Sequence, residues 1–478
     1  MAVFKTTKGE EFRIYEKSVN DGAFMVDGGD RDYLVTDPSL GFKGREVICA
    51  KCKEKKTMSP LDHEAAVLLR KRFPWTGPSR VLDRDRTMGV GDRLGIAGDG
   101  HLRVFTRYPE ITPILAQQSI RELNLTNRTF SDVLDSATFA VFRCGFKTGW
   151  GADGDHVKTA EEVEYALKSG FTMITLDCSE QIDNSVNDMN PEEVEKLYQS
   201  NRDAELEALY MEKTFDVGEG VKIHFDRDLF FRTVLIYRKA VEHAVKIWKT
   251  LICRDGIQVA DFEISIDETL SATLPEQHFF VANELARAGV RCSTVAPRFC
   301  GEFQKGVDYR GDLEQYAREM KIHAAIARKL GYKISIHSGS DKFSIFRVSG
   351  RETAGRFHLK TAGTNWLEAV KLVAMKDPGL YREVHEYALK SFSEASRYYH
   401  VSTDLNKIPK LSALADSQLP ALFDNDDSRQ LIHITYGLIL NEKGLRERLY
   451  RFWRKNREEY YRLLESHIGH HAQAILLK

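Results

Sequence analysis

Eight short apolar runs constrain this chain more than any other feature, because each ends in a cluster of charged, polar or Gly residues. They are Met88–Arg93, Thr112–Ser119, Gly151–His156, Phe171–Asp177, Ala260–Glu268, Cys292–Arg298, Lys333–Gly339 and Arg356–Thr361. Amphipathic helical segments lie between most of them, among them Ala160–Ser169, Gln277–Ala288, Leu313–Leu330 and Trp366–Met375. Eight strand–helix alternations predict a closed (β/α)₈ barrel of the TIM type, with a doubly wound open sheet as the alternative. Two runs alternate in polarity. Phe262, Ile264 and Ile266 share one face while Glu263, Ser265 and Asp267 share the other, and Ser335, His337 and Gly339 stand opposite Ile334 and Ile336. Ordinary parallel strands are apolar on both faces. Strands that are polar on the inward face fit a barrel with a polar interior and a site at the C-terminal strand ends.

The flanks read differently. Residues 1–84 predict a small α+β module of short strands separated by Gly-Asp turns. Ser59 is expected to cap a helix there, with Pro60 in the first turn. The barrel is expected over 85–378, with an insertion at about 180–228 lying over its mouth and containing a helical stretch Pro191–Thr214. Residues 379–478 predict a helical extension whose Leu445, Leu449, Phe452, Trp453, Tyr460 and Leu464 form an apolar stripe suited to packing on the barrel.

Composition excludes several classes. The chain has 69 Lys+Arg against 70 Asp+Glu, a formal net charge of −1, so it lacks the cationic surplus of a general nucleic-acid binder. No apolar stretch approaches the roughly 20 residues of a membrane span, and the N-terminus lacks the apolar core of a secretory signal. Seven scattered cysteines read as reduced thiols, which points to the cytoplasm. Cys49 and Cys52 form a C-x-x-C, but with no second pair nearby and a Lys-rich run after it, the pair reads as incidental. Gly89-Val-Gly91 starts a dinucleotide fingerprint, but Leu94 stands where the third Gly belongs, so a tight βα turn is the better reading.

The candidate chemistry lies at the run ends. Gly151-Ala-Asp-Gly-Asp-His156 places carboxylates beside an imidazole. Glu263 on an inward face would be buried, and a buried carboxylate needs a cation, either a metal ion or a salt-bridge partner. His337 faces the same way, followed by Ser-Gly-Ser, Asp341 and Lys342. Arg298, Lys342 and Lys360 are candidates for an anionic substrate group, and Gln117 for a hydroxyl. Glu122 is an acid/base candidate or a helix N-terminal carboxylate.

The segments Gly91-Asp-Arg-Leu-Gly95, Ala116-Gln-Gln-Ser119, Gly151–Lys158, Asp261–Thr269 and His337-Ser-Gly-Ser-Asp-Lys342 together resemble the tagaturonate epimerase family. The resemblance runs from about residue 85 to His433-Ile-Thr-Tyr-Gly437. It implies interconversion of D-tagaturonate and D-fructuronate, with action on neutral ketohexoses in some members. The inverted centre is C4 in ketose numbering, next to neither the C2 ketone nor the C6 carboxylate. Simple deprotonation there has no resonance sink, which leaves retro-aldol cleavage of C3–C4 or transient oxidation, and the missing glycine fingerprint disfavours the latter. A divalent metal (zinc, manganese, nickel or iron) is expected to stabilise the first. From the residues, His156, Glu263 and His337 are the expected metal ligands, with Asp155 or Glu268 as replacements that could also touch substrate. Asp267 and Glu122 are the expected acid/base groups, with Asp177 in reserve. The expected partner is a small sugar acid, with no nucleic acid and no membrane, and homo-oligomerisation is compatible with the sequence. A metal-dependent aldolase or sugar isomerase, or a uronate sensor without turnover, are the alternatives.

Overall fold

The structure, a computed structural model, describes residues 2–361 and 363–476. All eight runs form parallel strands, and they close into one barrel. We number them β1 (Arg86–Gly89), β2 (Ile111–Ser119), β3 (Gly151–Val157), β4 (Met173–Asp177), β5 (Asp261–Ile266), β6 (Thr294–Pro297), β7 (Lys333–Ile336) and β8 (Phe357–Lys360). Around the barrel the order is that of the sequence, β8 returning to β1. The open-sheet alternative is thereby excluded.

Register carries the expected alternation into the interior. Thr175, Glu263 and Thr294 are paired across β4, β5 and β6, at one level of the barrel. The Thr175 and Thr294 hydroxyls both donate to Glu263, at 3.1 and 2.6 Å, so these side chains face inward. Ile264, Val295, Ile334 and Phe357, paired across β5 to β8, are buried on the outward face. In β3 the glycine is a packing requirement. A Cβ on Gly154 would lie 2.8 Å from Cβ of Ala166 on the helix Ala160–Lys168.

Two compact units emerge from the distribution of contacts: Met1–Ser79, Val90–Ala152 and Ala362–Ala472 form one; Arg80–Gly89, Asp153–Thr361 and Gln473–Lys478 form the other. The first unit contains an antiparallel six-stranded sheet built from residues 3–59. Ser59 ends the last strand of that sheet and does not cap the following helix. Asp62 caps His63–Arg72 instead, its carboxylate accepting from Ala65 N–H at 2.9 Å. The C-terminal stripe packs within the same unit: Leu445, Leu449, Trp453, Tyr460 and Leu464 join a buried cluster with Leu94, Ala97 and Trp366. The Gly89-Val-Gly91 turn holds no fingerprint. Asp92 accepts the backbone N–H groups of Leu94, Gly95 and Ala97 at 2.7–3.0 Å, so a carboxylate already fills that ring of donors.

In the second unit the expected single helix over 191–214 is instead two helices, Pro191–Gln199 and Ala204–Tyr210, followed by a hairpin, Lys213–Gly218 and Val221–Phe225. Asp203 restarts the helix as an N-cap, and alternation over Thr214–Val217 favours strand. Tyr210, Phe215 and Phe225 pack edge-on or tilted against Phe279 and Phe280 of the helix Pro275–Arg287, so these elements cover the helical wall of the barrel. The turn at Asn184–Asp188 reaches the loop after β5, where Asn187 donates to Ser271 Oγ at 3.3 Å.

Candidate active site

The polar groups of the second unit converge on one ammonium. Lys360, at the end of β8 and only 4 % exposed, lies 2.6 Å from Asp155, 2.8 Å from Glu263 and 3.0 Å from Asp153, and donates to Thr175 at 2.6 Å. Burial pulls an ammonium pKa down, but the three carboxylates outweigh it and hold Lys360 well above its usual range. Burial also raises the carboxylates, and they respond differently. Asp155 and Glu263 remain well below the usual range because Lys360 and an imidazole face each of them. Asp153 is pushed up to about 6 by burial, with the negative charges of Asp155 and Glu263 adding to it against Lys360.

Two imidazoles stand over this cluster, 4.9 Å apart between ring centres. His156 Nδ1 lies 2.9 Å from Asp155 Oδ1, and His337 Nε2 lies 2.7 Å from Glu263 Oε1. Each ring thus has one nitrogen fixed by a carboxylate of the Lys360 cluster and presents the other to the site. His337 Nδ1 is 3.1 Å from Asp267 Oδ1 without hydrogen-bond alignment, and it is buried with no hydrogen-bond partner among the described residues. His156, Asp267 and His337 offer donor atoms all within 4.8 Å of one another, a group that could hold a metal ion. Burial lowers both imidazoles, but Asp155 raises His156 to about 10, and Asp267 with Glu263 raises His337. Burial would raise Asp267, yet His337 holds it below the carboxylate range, so it is ionised and a weak base.

Backbone irregularity makes this convergence. Met173 and Ile174 pair with Asp153 and Gly154, whereas Leu176 pairs with Val157, so β3 carries one extra residue, a bulge at Asp155-His156. The bulge lets two consecutive residues serve one site, which a regular strand forbids. His156 sits at φ +50°, Ser338 at +50° and Asp341 at +60°, left-handed conformations that are strained without glycine and that gather at functional sites.

The remaining expected residues separate into groups. Glu263 is buried as anticipated, but its cation is Lys360, and its oxygens are also engaged by Thr175, Thr294 and His337. It therefore supports His337, and Asp267 takes its place beside the two imidazoles. Lys360, facing three carboxylates, has no donor left for a substrate anion. Lys342 is likewise committed: its buried ammonium donates to the carbonyls of Gln304, Val307 and Ser340 and so clamps the loop after β6. Glu122 belongs to the scaffold of the other unit, where Oε1 accepts from Arg93 at 2.7 and 2.9 Å and Oε2 closes a capping box with Ser119. In that unit Gln117 is buried on β2, its Oε1 without a partner among the described residues. Arg298 follows β6, half-buried, and no ion pair engages its guanidinium among the described residues. Asp177 ends β4 with Oδ2 3.7 Å from Lys158, and Glu268 stands half-exposed with Oε1 3.8 Å from His156 Nε2. Thr175 and Lys305, whose ammonium donates to Ser338 at 2.9 Å, carry no signal in the sequence, and Asp153 stands there only as one of the carboxylates of Gly151–His156, without a role of its own. Asp153 shares strand parity with Asp155 and was within reach of the same argument.

Residues 15–475 match the family described as tagaturonate epimerase. The chain belongs to that family. It is 40% identical to the tagaturonate/fructuronate epimerase of Thermotoga maritima over 99% of each chain. It is also similar to the crystal structure of the native fructuronate-tagaturonate epimerase of Cohnella laeviribosi, with 46% identity, a TM-score of 0.93, and coverage of 97% of this chain and 96% of that one. A glycerol complex of the Cohnella enzyme matches with a TM-score of 0.92. The protein is thus an epimerase, an isomerase-class enzyme, and its barrel is the fold of those relatives.

Proposed function

We propose that this epimerase interconverts D-tagaturonate and D-fructuronate by inverting C4, with a divalent metal ion held by His156, Asp267 and His337. The observation that carries the metal reading is the pair of imidazoles each anchored by a buried carboxylate, His156 on Asp155 and His337 on Glu263. Metal-binding imidazoles characteristically donate their second N–H to such a group. Two nitrogens and one carboxylate suit zinc, manganese, nickel or iron. When bound, the ion supplies a Lewis acid for the C2 ketone and its neighbouring hydroxyl.

The chain's own residues do the rest. Arg298 binds the C6 carboxylate, since Lys342 and Lys360 are committed elsewhere. Glu268 or Asp177 accepts the proton of the C4 hydroxyl, because Asp267 is held too acidic for that role. As that proton leaves, a carbonyl forms at C4, the C3–C4 bond breaks, and its electron pair stays on the C1–C3 fragment in conjugation with the ketone. The aldehyde fragment turns its other face, C3 adds to it, and the same carboxyl returns the proton to the C4 oxygen.

Conversion of tagaturonate labelled with deuterium at C4 tests this route. Retention of the label without a primary isotope effect is expected. A primary effect indicates oxidation at C4, and loss of label to solvent indicates deprotonation; either overturns the retro-aldol step. Accumulation of free three-carbon fragments identifies an aldolase instead. Full activity in protein shown by elemental analysis to be metal-free removes the metal from the scheme, and no conversion by metal-replete protein removes the substrate assignment.

A further inference from the structure

The C-x-x-C of the N-terminal sheet, which the sequence alone presents as incidental, occupies an ordered turn. Strand Arg45–Ile48 ends at Cys49, whose backbone bridges to Thr6. Cys49 N–H donates to Glu54 O and Lys53 N–H donates to Cys49 O, both at 2.9 Å, while Ala50 N–H donates to Lys5 O at 2.8 Å. The bond from Lys53 closes one helical turn, with Lys53 itself at φ +62°. Residues three apart on such a turn share a face. The backbone N–H of Cys52 donates to Cys49 Sγ at 3.5 Å. Both thiols are free; Cys49 is half-buried against the sheet's apolar cluster, and Cys52 is exposed.

The turn differentiates the two sulfurs. Burial pushes the Cys49 thiol up, but hydrogen bonds from Cys52 and from the Lys51 backbone outweigh it and lower its pKa. Sharing a hydrogen bond with Cys49 raises Cys52. A C-x-x-C pair with one stabilised thiolate and one neighbouring thiol is the arrangement of thiol–disulfide exchange. The metal-capable groups of three or more donors among the described residues do not include either cysteine.

We propose that Cys49 and Cys52 form a reversible intramolecular disulfide by exchange with a low-molecular-weight disulfide. Cys49 thiolate attacks one sulfur of the small molecule, its S–S bond breaks, one thiolate departs, and a mixed disulfide forms on Cys49. Cys52 gives its proton to solvent and attacks Cys49 Sγ, releasing the second small thiolate. The two protein thiols lose two electrons, and the small disulfide gains them as two thiols. The exposed loop between the strands tightens from the roughly 5–6 Å Cβ separation of an i, i+3 pair to the roughly 3.5–4.5 Å of a disulfide.

The test equilibrates the reduced full-length protein with mixtures of oxidised and reduced glutathione, followed by acid quenching and peptide mapping. The expected result is a Cys49–Cys52 cross-link whose yield follows the glutathione ratio and which dithiothreitol reverses. The C52S variant is expected to accumulate one glutathione on Cys49, several-fold faster than C49S does on Cys52. Absence of the cross-link at every ratio overturns the proposal. So does a wild-type protein that accumulates glutathione adducts without cross-linking, or equal labelling rates in the two single variants. Circular dichroism of both variants establishes that the exposed turn, and not the fold, has been altered.

Discussion

Replacing Lys360 by Met probes the centre of the site, because the side chain stays unbranched and nearly as long while losing its charge and its hydrogen-bond donors. In the protein, one ammonium faces Asp153, Asp155 and Glu263 within 3.0 Å, and none of these carboxylates is exposed by more than 10 % of its side chain. Removing one partner of a buried ion pair costs about 3–5 kcal/mol, chiefly by leaving the other charge uncompensated. The variant has one remedy, which is to protonate a carboxyl. Asp153, already at about 6 with the lysine present, is the first to do so. The sign follows from that uptake. Carboxyl pKa values raised on folding make the folded state bind more protons than the unfolded one. The variant's deficit is therefore largest at high pH and shrinks as pH falls, by up to about 1.4 kcal/mol per unit for each carboxyl protonated. Urea unfolding of wild type and Lys360→Met at pH 8 and pH 5.5, followed by circular dichroism, measures both quantities. Activity on the uronate and on the neutral ketohexose should fall together, since the lysine holds the site and not the substrate anion. A deficit below about 1 kcal/mol at pH 8, no larger than an ordinary surface change, would refute the reasoning, and so would a deficit identical at the two pH values.

The other predictions concern the metal and the substrate anion. His337→Ala should lose bound metal and activity together on elemental analysis and assay; normal metal content would make the imidazole a core residue. Asp155→Asn should leave the fold intact and weaken metal binding about 10–100-fold in a competition titration, because it replaces the charged partner of His156 Nδ1 by a neutral amide without removing a ligand; unchanged affinity contradicts the anchoring role. Protons and metal compete for His156, raised to about 10 in the metal-free protein, so affinity should climb from pH 6 to pH 9 and fall in acid. A flat profile would show that these imidazoles are not ligands. Arg298→Met should raise KM for tagaturonate while leaving metal content, thermal midpoint and ketohexose turnover unchanged; equal loss on both sugars excludes a contact to the carboxylate.

The fold was legible because its signal is periodic. Eight runs of the right spacing yield eight strands, and the parity of Glu263 and His337 places them inside. What sequence could not supply is pairing across strands. A buried Glu263 requires some cation, and nothing local distinguishes a metal ion from Lys360, about a hundred residues later, until β8 is known to close beside the acidic strands. The same holds for Lys342, which looks like an anion site beside Ser-Gly-Ser yet spends its donors on the loop carbonyls of Gln304 and Val307. Parity also fails at His156, because a bulge has no signature in residue type: Asp155-His156 reads as one residue in and one out. Glu122 was ambiguous for a different reason, since the residues that close a capping box are also those that transfer protons, and only Arg93 decides between them.

Charge balance explains why so many ionisable groups share one barrel. Asp153, Asp155 and Glu263 face a single ammonium, which neutralises one of them, while Asp267 lies beside His337. In the metal-free state His156, raised to about 10 by Asp155, brings a further positive charge, and Asp267 with Glu263 draws His337 toward its protonated form. A divalent ion on neutral imidazoles would bring positive charge to the same place. Metal binding would therefore release the protons these imidazoles hold and offset that loss of positive charge with the ion's own. On this account Lys360 fixes the depth at which that exchange occurs: it ties down the carboxylates that orient His156 and His337, while Asp267, beyond its reach, stays available to the ion.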